Sequence, residues 1–202
     1  MILARGGEPP SRETTGRPNG GVRLTARRGE IGLLDVRLFG PCRVFRNGVE
    51  MPLPQPQPTT ALKILALRGG VIHEEKLALA VWPDEDPAIS RPRVRNLLSK
   101  IRRATGAQIQ QRDDSVRVLD AVRCDIVEFI QLASRVLADV DDPRERNRLC
   151  LEAQALWVGP PLEEDRYEEW GRLHRHRAYE LQRLLWDLLP EQPPGPQTSR
   201  RT

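Results

Sequence analysis

Lysine is nearly missing from this chain: Lys63, Lys76 and Lys100 are the whole complement, so almost all of its 32 basic residues are arginine. Cysteine is as scarce. Cys42, Cys124 and Cys150 are odd in number and widely spaced, with no CxxC and no Cys/His pattern of metal-ligand spacing, which argues against a disulfide framework and a zinc site and leaves reduced, half-buried thiols. Aromatic residues make up 4%. No apolar run approaches the roughly 20 residues of a membrane span. Met1 to Pro10 lacks the apolar stretch of about 7 to 15 residues that a secretory signal requires, so the expected location is the cytoplasm, with no membrane partner. Gly69-Gly70 has no Gly-Lys-Ser/Thr continuation of a phosphate loop, and no nucleophile or metal motif accompanies Glu163, Glu164, Asp165, Glu168 and Glu169. These carboxylates read as a charged connector and helix start. His174 and His176, two apart, fall on different faces of a helix, so a shared metal is not expected and Arg172 to Arg177 reads as a solvated basic stretch. An enzyme and a cofactor are therefore not expected.

What the chain has in quantity is proline, 18 residues, and glycine, 15. Residues 1–34 mix both with scattered arginine and show no apolar period, and 190–202 have the same character, so a disordered basic arm and a disordered tail are expected. Between them the pattern changes. Val36, Leu38, Cys42 and Val44 alternate toward a hairpin turn at Asn47-Gly48. Pro52 to Pro58 delay a first helix until Thr59-Thr60 can cap it, and Gly69-Gly70 ends it. A second helix is expected from His73 to Trp82, stopped by Pro83. A third opens at Pro92, turns Val94, Leu98, Ile101 and Thr105 inward, and closes at Gly106. Two strands, Gln108 to Arg112 and Val116 to Leu119, turn at Asp113-Asp114-Ser115. Beyond Asp125 three apolar stripes predict three helices: Ile126 to Val140, Leu149 to Trp157, and Trp170 to Leu188. Trp82, Trp157, Trp170 and Trp186 are read as core anchors. The fold class is thus an α+β winged helix-turn-helix with a short sheet and a β-wing at 35–121, followed by an all-α helical segment at 122–189.

The charge is concentrated on one element. Between residues 88 and 117 lie Arg91, Arg93, Arg95, Lys100, Arg102, Arg103, Arg112 and Arg117 against Asp113 and Asp114, a larger excess than the +4 of the whole chain. Arg93, Asn96, Lys100 and Arg103 follow helical spacing opposite the apolar stripe, and those side chains match the base edges of a major groove. Arg91, Arg95, Ser99 and Arg102 flank them at positions suited to phosphate, and Arg112 and Arg117 flank the wing turn, where a minor groove is in reach. A solvated basic face with no partner is the bland alternative.

The order of motifs resembles the OmpR/PhoB-type winged helix and the following bacterial transcriptional activation domain (BTAD, TPR-like) of the actinobacterial SARP/AfsR regulators. The residues carrying the likeness are Leu38-Phe39-Gly40, Asn47-Gly48, Glu75 to Pro83, Arg95 to Ala104, Cys124 to Phe129, Ala155 to Leu162 and Tyr167 to Trp170. The resemblance implies a nucleoid-associated transcription regulator, an activator, that binds double-stranded DNA as a homodimer on direct repeats. It also implies that the loop after the second helix, through Asp84, Glu85 and Asp86, touches RNA polymerase at its sigma or alpha subunits. Two departures stand out: the wing carries Asp113-Asp114 in place of Pro-Gly-Tyr, and the helical part is expected to be a partial BTAD. The competing expectation is an interaction adapter whose winged helix does not read DNA.

Overall fold

The computed structural model describes residues 31–53, 56–138 and 141–188. The expected tail at 190–202 and all but the last residues of the expected arm lie outside these. In chain order the elements are β1 (Leu33–Arg37), β2 (Arg43–Arg46), β3 (Val49–Met51), α1 (Pro56–Leu67), β4 (Val71–His73), α2 (Glu74–Val81), α3 (Pro87–Thr105), β5 (Ile109–Arg112), β6 (Ser115–Val118), β7 (Ala121–Cys124), α4 (Asp125–Leu137), α5 (Pro143–Leu156) and α6 (Glu169–Leu188), with a 3-10 turn at Glu163–Asp165. An N-terminal mixed α+β part with small sheets is followed by a helical segment.

The first sheet has the order β3-β2-β1-β7. Leu34, Val36 and Val44 point into the core, and Asn47 and Gly48 both take positive φ, the backbone of a tight hairpin turn. Ordered structure reaches into the expected arm, since β1 begins at Leu33. β7 pairs with β1 in parallel, from Leu33↔Ala121 to Val36↔Cys124. No strand is expected there from the sequence, because its alternation is short and its partner lies far upstream. The second sheet, β4-β6-β5, adds another unexpected strand, Val71–His73, so His73 belongs to a strand and not to the second helix.

Two helices begin earlier than their prolines suggest. α1 starts at Pro56 and not after Thr59, because prolines in a first turn lack only N–H groups that have no partner inside the helix anyway. α3 starts at Pro87, where Asp86 caps it by accepting from the Ala88 N–H at 2.8 Å. Pro92 therefore lies inside α3 and does not open it. The inward stripe is as expected: Val94, Leu98, Ile101 and Thr105 are fully buried, joined by Leu97, and α3 packs on α1 and α2. Each such apolar side chain contributes about 1.5–3 kcal/mol when removed from water.

In the helical segment α4 packs on α5 and α6 through Ile126, Phe129, Ala133, Leu149, Ala153, Leu181 and Leu185. Leu137, Leu173 and Leu188 of the expected stripes are exposed, and Trp186 is 61% exposed, so it is not a core anchor. Trp82 is buried and Trp157 and Trp170 half-buried. Phe39, at the end of β1, meets Trp157 at 4.7 Å and Phe129 at 5.5 Å between ring centroids, which ties the helical segment to the first sheet. The chain after α5 then lies along β1's end: Leu162 N–H donates to Leu38 O at 2.8 Å and Gly40 N–H to Pro160 O at 2.8 Å. A Cβ at Gly159 would stand 2.9 Å from the Gly40 Cα, so this close passage requires glycine.

Candidate nucleic-acid interface

The outward face of α3 carries Arg95, Asn96, Lys100 and Arg103, all exposed, with Ser99 half-buried between them. The side chains of Arg95, Asn96 and Arg103 make no hydrogen bond or ion pair with other described residues. Helical geometry puts Asn96, Ser99 and Arg103 directly opposite the Val94/Leu98/Ile101 stripe, with Arg95 and Lys100 on either side. This face can offer guanidinium, ammonium and amide groups together to an anionic, hydrogen-bonding partner.

The remaining cations of α3 sit at the margins of the buried stripe and are engaged within the protein. Arg93 pairs with Glu85 and lies over the Trp82 ring, 4.6 Å from its centroid. Arg91 pairs with Asp114 at the wing turn. Arg102 donates through Nε to the Ile109 carbonyl at 2.9 Å, fastening the C-terminal half of α3 to the start of β5. Arg93, Asn96, Lys100 and Arg103 therefore do not have equal surroundings, although their spacing groups them.

Of the acidic loop between α2 and α3, Asp86 serves as the cap of α3 and Glu85 as the partner of Arg93, while Asp84 is exposed. At the wing, Asp113 and Asp114 both adopt positive φ, near 50° and 57°, and form the two-residue turn between β5 and β6. The backbone N–H of Glu74 donates to Asp114 O at 2.7 Å, holding the turn to the start of α2. Arg112 lies 3.2 Å from Asp113, and Arg117 points outward from β6.

Buried polar residues fasten the elements of the fold to one another, one set of them at the end of α3. Asp120, 4% exposed, accepts from the backbone N–H groups of Gly32 at 2.9 Å and Gln108 at 2.7 Å and from the Arg46 guanidinium at 3.1 Å. Arg46 lies across the end of α3, where a Cβ at Gly106 would stand 2.8 Å from it. Gly106 caps the helix at φ 66°. Asp125 accepts from the N–H groups of Leu38, Phe39 and Ile126. Burial pushes its carboxyl above the usual range, against the opposing pull of these hydrogen bonds. Lys63, 4% exposed, donates to Glu164 at 2.8 Å and Asp165 at 2.6 Å, so part of the expected charged connector is a buried anchor from the 3-10 turn to α1. Burial lowers the Lys63 pKa and these two hydrogen bonds outweigh it, leaving it raised. His174 and Arg175 are not solvated either: Arg175 donates to the Asp165 and Glu168 carbonyls, and burial, with Arg68 nearby, lowers the His174 pKa. All three cysteines are buried, not half-buried as expected, and burial raises Cys42 and Cys124 to about 12. Among the described residues no group of three or more His, Cys, Asp or Glu is placed to hold a metal ion, and no helix is long and apolar enough to cross a membrane.

No family model matches the chain, and no curated protein matches it. The fold is similar to that in the structure of Mycobacterium tuberculosis EmbR in complex with a low affinity phosphopeptide, with a TM-score of 0.63 over 77% of this chain at 20% identity. This chain spans 44% of the length of that one. At this identity the likeness is one of fold: small sheets with helices, then a helical segment.

Proposed function

We propose that this chain is a sequence-specific regulator of transcription that binds double-stranded DNA, with α3 in the major groove. The observation that carries the reading is the exposed face of α3, where Arg95, Asn96, Lys100 and Arg103 project from a helix whose other side is fully buried. In this reading Asn96, Lys100, Arg103 and Arg93 contact base edges, while Arg91, Arg95, Ser99 and Arg102 approach phosphates. The wing brings Arg112 and Arg117 to the minor groove. The units are a winged helix over 35–121 and a TPR-like helical domain over 122–189. The helical domain supports a homodimer, and Asp84 contacts RNA polymerase in activation.

A second reading, an interaction adapter whose winged helix does not read DNA, has its own support: Arg91, Arg93 and Arg102 are already held by Asp114, Glu85 and the Ile109 carbonyl. Salt separates the two. DNA binding through about five to eight phosphate contacts falls steeply as salt rises, and an apolar protein interface does not. Fluorescence anisotropy with a mixed-sequence duplex between low and near-physiological salt tests this. The DNA reading requires a steep negative slope, shallower in Lys100→Glu/Arg103→Glu. Absence of duplex binding at low salt defeats it.

A further inference from the structure

A cleft of about 390 Å³ opens between α6 and the α1–β4–α2 corner of the winged-helix part, well away from the exposed face of α3 in the sequence and carried by other elements. Leu67, Ile72 and the Trp170 ring supply apolar lining, and Arg68, Lys76 and His174 supply polar lining. The volume is that of a pocket for a small organic molecule, about 300–1,000 Å³, and such pockets combine an apolar lining with a few polar groups.

Like Arg95 and Arg103 on α3, and unlike many other cations of the chain, those lining this cleft have no carboxylate partner among the described residues. Arg37, Arg43, Arg46, Lys63, Arg123 and Arg148 each have a carboxylate partner. Arg68 and Lys76 have none, and among the described residues no carboxylate lines the cleft. Two cations thus line a common, partly apolar hollow. The indole N–H of Trp170 and Nδ1 of His174, both on residues of the cleft, are buried and lack a hydrogen-bond partner.

We propose that this cleft binds a small amphipathic organic anion: an apolar or aromatic body laid against Ile72, Leu67 and Trp170, and one carboxylate, sulfonate or phosphate held by Arg68 and Lys76. Because α6 supplies one wall and α1, β4 and α2 the others, an occupant touches both the helical segment and the winged-helix part. The site stands on its own residues and does not depend on DNA binding.

The test is a fluorescence titration of the full chain with 8-anilinonaphthalene-1-sulfonate, a two-ring sulfonate. One saturable site is expected. Binding weakens at least about tenfold in Arg68→Gln/Lys76→Gln, as two charge-assisted contacts are lost, and stays unchanged in Arg144→Gln/Arg183→Gln, which removes the same charge elsewhere. The uncharged analogue 1-anilinonaphthalene is expected to bind at least about tenfold more weakly than the sulfonate. Thermal melts of each variant confirm that it is folded. Should the cleft variant misfold, the comparison between charged and uncharged probes on the unmodified chain decides alone. Absence of saturable binding, equal binding in both variants, or equal binding of the uncharged probe overturns the proposal.

Discussion

Glu85 holds Arg93 against the face of Trp82, so one cation of the proposed reading helix is paired within the protein before any partner arrives. Both side chains are partly exposed, at 44% for Arg93 and 35% for Glu85, so the pair is weak enough for a phosphate or guanine to replace the carboxylate. Glu85→Gln is therefore expected to tighten duplex binding, by roughly 1 kcal/mol or less, and to steepen the salt dependence by about one contact. Anisotropy titrations at several salt concentrations measure both. Unchanged affinity and slope would place Arg93 outside the interface.

Arg102 has a different prospect. Its Nε donates to the Ile109 carbonyl, so its removal loosens the join between α3 and the wing hairpin in addition to removing a charge. Arg102→Ala is expected to cost about 1–3 kcal/mol of folding stability in urea titrations, the range for leaving a half-buried acceptor without its charged donor. By contrast Arg103→Ala, on the exposed face, is expected to leave stability within about 0.5 kcal/mol. Equal stabilities for the two would remove the structural role assigned to Arg102.

Lys63 links α1 to the Glu163–Asp165 turn. Asp165→Asn leaves a buried ammonium with one carboxylate, Glu164, which is itself 49% exposed, and is expected to lower stability by about 1–3 kcal/mol. Lys63→Met is expected to cost less, because the carboxylates can turn to water and a methionine fills the space. Urea unfolding of both variants checks the order.

His174 gives a pH dependence of known sign. Its pKa is lowered from the usual 6.5 by burial and by the nearby Arg68, so the unfolded chain binds its proton more readily than the folded one. The stability it contributes is present above about pH 6.5 and is lost as pH falls through the folded value. His174→Gln is expected to flatten the stability curve between neutral pH and about pH 5. A curve of unchanged slope would contradict the assignment.

Much of the architecture is legible in the residues. Asn47-Gly48 specifies its hairpin, Gly106 its helix end, and the Val94/Leu98/Ile101 spacing the buried side of α3. What is missed follows from two physical facts. Proline is forbidden in a helix interior but harmless in a first turn, so Pro56 and Pro87 mark helix starts that read as coil. Short strands such as Val71–His73 and Ala121–Cys124 are specified by distant partners more than by their own alternation. In the candidate site, spacing places Asn96 and Arg103 outward, yet it says nothing of Glu85, Asp114 or the Ile109 carbonyl, which come from other elements to engage Arg93, Arg91 and Arg102. Nothing in the sequence singles out Asp120, and only the fold brings Gly32, Arg46 and Gln108 around it.

The central claim, that the outward face of α3 reads base sequence, is tested most directly by selection from a random duplex library at near-physiological salt, with the full chain run beside Asn96→Ala/Arg103→Ala. The account predicts an enriched motif for the unmodified chain, occurring as a direct repeat, and loss of preference at defined positions in the variant, about 1–3 kcal/mol per base contact removed. No enrichment, or the same motif enriched by the variant, would contradict it.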